Sequence, residues 1–451
     1  MASLSRTFRT VVMVAGLALV GGMVGAAPRA VATSVPGNQP LPPYTISNPP
    51  LPPITVGGQP TRVLQGVYRH SAYDIEVPPH WNGQLMMWAH GYRGTGTVLT
   101  VDAPAFDLRQ KVIGEGYAWA ASSYPDNTYD PASGVVATHD LAGLFARIVH
   151  RPRRTYIAGV SMGGHVIGRS LEQYPFAYSG ALPMCGVLGD DHLFDFFLSY
   201  NVVAQDLAGV DAYPPPADYL TSAVPRIENA LGLTNLTPGG PDTTNDLGKQ
   251  LRAITVNLTG GQRPGAAASF PVWKDFLFTL GVANTSPDLA ANPGLIATNA
   301  GTVYSPNSPV DVNGTVQRVP VADPRDRYTP RLVATPRIFG FPTAPVLSLH
   351  GLGDMFVPIS MEEIYGHEVA DHHLSGLLVQ RAIRSGGHCE FSPTEAGGAW
   401  DDLVHWVTTG HRPVGDDLLN PATVATPTFG CAFSDPAAYL TGTRPLFPRC
   451  P

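Results

Sequence analysis

Two kinds of hydrophobic patterning alternate along the first half of the chain. Gly66 to Val77 alternates apolar and polar side chains, the period of half-buried strands, and 78–83 (PPHWNG) is a turn. Gln84 to Ala89 (QLMMWA) is almost continuously apolar, as suits a central strand covered on both faces. The pattern then predicts a helix over Ala105 to Gly114, a strand over Tyr117 to Ser122, and a helix over Val135 to Val149 with Leu141, Leu144, Ile148 and Val149 on one face. A strand over Arg154 to Ala158, a helix over Met162 to Tyr174 and a strand over Ser179 to Gly186 follow. From Asp190 to Phe341 the rhythm gives way to aromatic helical patches and long Gly, Pro, Asn and Thr loops. It resumes in strands at Ala344 to Gly351 and Leu377 to Arg384 and a closing helix over Thr394 to Thr408. Such alternation predicts an α/β fold, a doubly wound and mostly parallel sheet formed by 61–189 and 342–451, with 190–341 as a large inserted cap.

The junction at 159–163 (GVSMG) is where this pattern meets chemistry. A serine on a tight turn between a strand and a helix stands clear of the sheet, and the flanking glycines leave room where a Cβ would collide. The five-residue pattern alone arises by chance roughly 0.25 times in a chain of this composition. Its position between a strand and an amphipathic helix is therefore what gives it weight. Two further sites follow strands in the same way: Asp354, in 350–358 (HGLGDMFVP), and His388, in 385–389 (SGGHC). A serine, a carboxylate and a histidine are what nucleophilic acyl transfer needs: the histidine accepts the serine proton and the carboxylate fixes its tautomer. Asp190, Asp191 and Asp195, after another strand, compete for the acid role.

These residues and their order make the chain resemble the α/β-hydrolase superfamily over Gly66 to Cys185 and Ala344 to Thr409. The resemblance implies Ser161 as nucleophile, Asp354 as acid and His388 as base, and favours Asp354 over its competitors through the G-x-x-D-x-x-V-P pattern. It also implies an oxyanion hole from the backbone N–H groups of Met162 and of Tyr92, which follows His90 and Gly91; His90 is then a prop of that loop. The adjacent His388 and Cys389 are similar to the tannase and feruloyl esterase family, in which the neighbouring cysteine bonds to one preceding the serine; here Val160 stands at that place. Four cysteines permit three pairings, of which Cys185 with Cys389 and Cys431 with Cys450 is favoured: the first pair falls at one end of the sheet, and the second closes a Pro-rich tail.

Composition narrows the setting. Arg6 and Arg9, the apolar run Val11 to Val24 and the small residues of 30–32 predict an export signal over 1–32, followed by a Pro-rich lead-in over 33–60 and a secreted, disulfide-bonded protein. The formal charge of −7 becomes −10 when Arg6, Arg9 and Arg29 leave with the signal, so neither nucleic acid nor an anionic membrane is an expected partner. No cofactor or metal is implied, although His367, Asp371, His372 and His373 have a helical spacing that could suit one. The expectation is a secreted serine hydrolase acting on carboxylic esters, small or polymeric. A peptidase or amidase, an acyltransferase and a catalytically inactive binding module are the alternatives.

Overall fold

A computed structural model describes residues 31–32, 39–281, 296–321, 324–327 and 329–451. The apolar run of the expected export signal lies outside them. The strands of the main sheet in chain order are β1 (Val31–Ala32), β2 (Arg62–Tyr68), β3 (Ser71–Val77), β4 (Gln84–Ala89), β5 (Ala118–Ser122), β6 (Arg154–Val160), β7 (Gly180–Met184), β8 (Val346–Gly351) and β9 (Leu378–Ile383). They form one sheet in the order β1-β2-β3-β5-β4-β6-β7-β8-β9. β2, β3 and β5 pair antiparallel, and the run from β5 through β4 to β9 is parallel.

The longer helices among the described residues are α1 (Leu108–Gly114), α2 (Pro131–Ile148), α3 (Met162–Gln173), α4 (His192–Ala208), α5 (Tyr219–Leu231), α6 (Asp246–Leu258), α7 (Ala266–Thr279), α8 (Ser360–Asp371) and α9 (Pro393–Thr409). α2 begins four residues before its apolar periodicity does. Asp130 caps it by accepting the Ser133 N–H, and Pro131 takes the first helical position, where a missing N–H costs nothing. α1 begins later than expected because Phe106 and Asp107 both have positive φ.

One face of the sheet packs Met86, Trp88, Tyr156 and Leu182 against Trp400 and Leu403 of α9 and Val112 of α1. The other packs Leu85, Met87 and Ile157 against Val166 and Ile167 of α3. That second cluster continues without interruption into Phe194 and Phe197 of α4 and Phe270 and Phe278 of α7, so the segment between β7 and β8 shares the core of the sheet. Burying each of these aromatic side chains contributes about 1.5–3 kcal/mol relative to leaving it in water.

Candidate active site

β6 runs into α3 through Ser161, whose backbone has φ 57° and ψ −125°. A residue in that region is strained, and the surroundings hold it there. The Ser161 N–H donates to Met184 O at 3.2 Å, and the Ser161 carbonyl accepts from Gly164 N at 2.8 Å and Val187 N at 3.1 Å. The turn sits so tightly against β4 that a Cβ at Gly159 would lie 2.2 Å from Ala89 O and one at Gly163 would lie 2.1 Å from the same atom. A Cβ at Gly91 would come within 2.9 Å of the Ser161 Cβ, so the loop after β4 abuts the serine only because Gly91 lacks one.

Ser161, His388 and Asp354 form one hydrogen-bonded chain. The Ser161 hydroxyl lies 2.9 Å from His388 Nε2, and His388 Nδ1 lies 2.6 Å from Asp354 Oδ2. Asp354 is fully buried, and its other oxygen accepts the N–H groups of Phe356 at 2.9 Å and Val357 at 3.1 Å. A second layer holds that turn. His350, also fully buried, donates from Nε2 to Val357 O at 2.7 Å and faces Glu362 from Nδ1 at 3.2 Å. Burial opposes charge on His350, but the hydrogen bond and charge of Glu362 outweigh it and raise its pKa above the ordinary histidine value.

Two of the three competing carboxylates are engaged elsewhere. Asp190 accepts the Ile338 N–H at 2.9 Å and faces His192, while Asp195 is ion-paired with Arg327. Burial, then the charge of Asp190, pushes the Asp191 carboxyl up to about 8. His90 stacks on Tyr124 with ring centroids 3.9 Å apart and its Nδ1 lies 2.7 Å from Gly91 O, so it sits within the loop after β4. Burial, reinforced by the Arg93 charge, lowers its pKa to about 4. Met162 is the first residue of α3, where a backbone N–H has no acceptor within the helix, and Tyr92 lies across the cavity in front of Ser161.

That cavity is narrow, about 10 Å³, which is room for about one water. Besides Ser161 it is lined by Tyr92, Tyr129, Phe194, Phe197 and Phe356 with Val187, Leu193 and Val357, and none of these side chains is charged. Tyr129 is held from behind. Its hydroxyl lies 3.1 Å from His165 Nδ1, while His165 Nε2 lies 2.6 Å from Pro336 O; since that carbonyl only accepts, Nε2 carries the proton and Nδ1 receives the tyrosine hydroxyl.

Cys185 is bonded to Cys389 and Cys431 to Cys450. The first bridge joins the residue after β7 to the residue after His388, and β7 is the neighbour of the serine strand. Among the described residues the single group with clustered ligand atoms is Cys185, His388 and Cys389, whose sulfurs are spent in the disulfide. His372 stacks on Phe341 at 3.7 Å, and the stretch from Asp371 to His373 is exposed at the end of α8. Two residues near the site carry no sequence signal: Trp273 and Phe276 of α7. Phe276 packs edge-on to Phe356 with centroids 4.9 Å apart, and Phe356 in turn packs on His388 at 4.9 Å.

Leaving out the two-residue β1, the strands take the spatial order first, second, fourth, third, then fifth to eighth, with a serine elbow after the fifth, an aspartate after the seventh and a histidine after the eighth. The fold is that of the α/β-hydrolase superfamily. No family model matches the chain. The chain is similar to the o-phthalyl amidase of Xanthobacter agilis, at 24% identity over 401 residues, spanning 76% of this chain and 86% of that protein. Solved structures similar to it include an esterase from Aspergillus oryzae (15% identity, 78% of this chain and 80% of that chain, TM-score 0.41). Feruloyl esterase B from Aspergillus oryzae (15% identity, 78% and 82%, TM-score 0.38) and the Pyrococcus horikoshii acylaminoacyl peptidase (10% identity, 79% and 43%, TM-score 0.36) are others. The strand order and the elbow define the fold.

Proposed function

We propose that the chain is a secreted serine hydrolase that cleaves carboxylic esters through an acyl-enzyme on Ser161. The observation that carries this reading is the hydrogen-bonded chain from Ser161 through His388 to Asp354, at 2.9 and 2.6 Å. The Ser161 oxygen attacks the ester carbonyl carbon as its proton passes to His388 Nε2. Asp354 keeps the other ring nitrogen protonated and stabilises the imidazolium that forms. The oxyanion is held by the backbone N–H groups of Met162 and Tyr92, where loss of one donor costs about 3 kcal/mol of transition-state stabilisation. His388 then protonates the departing alcohol, and a water repeats the sequence to release the acid. The apolar, uncharged lining in front of Ser161 supports an uncharged acyl group, and the segment 190–341 acts as the cap that walls it with Phe194 and Phe197. The two disulfides fit an exported protein.

A second reading, amide hydrolysis by the same residues, is favoured by the amidase among the similar proteins. One experiment separates the two: turnover of p-nitrophenyl esters from acetate to palmitate beside p-nitroanilides, in the wild type and in Ser161→Ala. Ester turnover is expected to fall by about 10⁶-fold in the variant. Turnover of anilides alone moves the protein to the amidases, and ester turnover that survives the substitution refutes the role of Ser161.

A further inference from the structure

Helix α7, far from the serine elbow in sequence, meets the acid and histidine loops at one point. The Trp273 indole N–H is shared between two backbone carbonyls, Gly353 O at 3.0 Å and Gly386 O at 2.8 Å. Gly353 immediately precedes Asp354, and Gly386 stands two residues before His388. One turn earlier on the same helix, the fully buried Ser269 fills the space between the two loops: a Cβ on Gly353 would lie 2.0 Å from its oxygen, and one on Gly386 would lie 3.0 Å from it. The loops touch each other here too, through Gly353 N to Ser385 O at 2.8 Å. Just before α7, Arg263 donates to Leu352 O at 2.6 Å, one residue further back in the acid loop. A Cβ on Gly353 would thus collide with the helix and one on Gly386 would press against it, so α7 lies close against both loops. A three-centre bond of this kind fixes the separation of its two acceptors, because moving either carbonyl away leaves it buried with its donor lost.

We infer that Trp273 is a positioning residue for acyl transfer, holding the Asp354 and His388 loops at the spacing the His388–Asp354 bond requires, and that α7 is thereby a fixed part of the catalytic framework. This rests on the roles proposed above for Asp354 and His388. Substitution by Trp273→Phe keeps an aromatic ring and deletes the shared donor. It is expected to lower kcat on p-nitrophenyl acetate by about 10- to 100-fold, with KM changed by less than about twofold.

A second readout does not depend on activity: the low-field proton resonance of His388 Nδ1–H, identified by its loss in His388→Ala, is expected to shift or broaden in Trp273→Phe. Should that variant fold poorly, benzothienylalanine at position 273 retains the full ring volume and replaces the N–H by sulfur. Wild-type kcat together with an unchanged resonance in either variant overturns the inference. Activity retained in Ser161→Ala instead overturns the serine-hydrolase reading; the low-field resonance still decides whether Trp273 positions the pair.

Discussion

The sheet around the elbow and the helical segment between β7 and β8 are built on different principles. In the sheet, β4 and β7 are buried almost from end to end and β6 through its middle, their backbone groups are satisfied by neighbouring strands, and the closest approaches at the elbow are made by glycines against backbone atoms. In the helical segment the contacts that select one packing arrangement are polar side chains reaching across long stretches of sequence. Tyr219 of α5 donates to Asn201 of α4 at 2.9 Å and lies 3.2 Å from Gln205. Asn201 itself donates to Leu277 O of α7 at 3.0 Å, and Tyr200 donates to Lys274 O at 3.0 Å. Close packing against backbone leaves a strand no freedom to adjust, whereas helices joined by side-chain hydrogen bonds lose one bond at a time.

The largest test of that difference is one methyl group in the elbow. In Gly163→Ala the new Cβ meets Ala89 O, Ala89 C and His90 O within 3.0 Å, all backbone, so Ser161 and the loop after β4 have to separate. Expected are a loss of about 2–4 kcal/mol in urea unfolding and about 10²-fold in ester turnover. Wild-type stability and turnover in this variant would break the comparison.

Next comes pH, at the junction of the two regions, where Asp191 stands before α4. Its folded pKa, about 8, lies above the ordinary 3.8, so the native state holds a proton that the unfolded chain releases. Stability then falls as pH rises between those values, by at most about 1.4 kcal/mol per pH unit from this group. His350 works in the same direction: raised above 6.5, it stabilises fully below that pH and less as pH climbs through its folded pKa. Below pH 6.5 His90, lowered to about 4, acts in the opposite sense, so the decline of denaturant midpoints should show from pH 6.5 to 8, and Asp191→Asn should flatten the slope there. An unchanged slope would show that Asp191 is ionised in the folded protein.

The mildest effect belongs to the helical segment alone. Tyr219→Phe leaves Asn201 Oδ1 and Gln205 Nε2 without their partner and should cost about 1 kcal/mol. Ester turnover should stay within about twofold, since no bond to the serine, aspartate or histidine is touched. A large activity loss would mean that the network reaches the acyl pocket, and the two regions would then behave as one.

The alternation of apolar runs with amphipathic ones made β4 legible to the residue, and β6, β7, β8, β9 and α9 within one or two residues. Glycines 159 and 163 were legible for a steric reason that holds wherever a strand turns sharply into a helix. The helical segment was not legible beyond its aromatic patches, because α4 and α7 are apolar on most sides and show no single face. Nor did the sequence read by itself choose between Asp354 and the aspartates at 190, 191 and 195, since each follows a strand; that preference came from the family pattern. Trp273 left no trace, because its two acceptors are backbone carbonyls 80 and 113 residues away.

What the sequence determined alone is what depends on local sterics and on periodicity: which stretches are strands and helices, where a side chain cannot fit, and which serine stands on a turn. Only the tertiary structure decided which strands are neighbours, which carboxylate meets His388, which cysteines meet, and that an indole N–H ties two loops together. Those choices depend on the closing of long loops around a common core, and residues far apart in the chain carry no local pattern that announces their meeting.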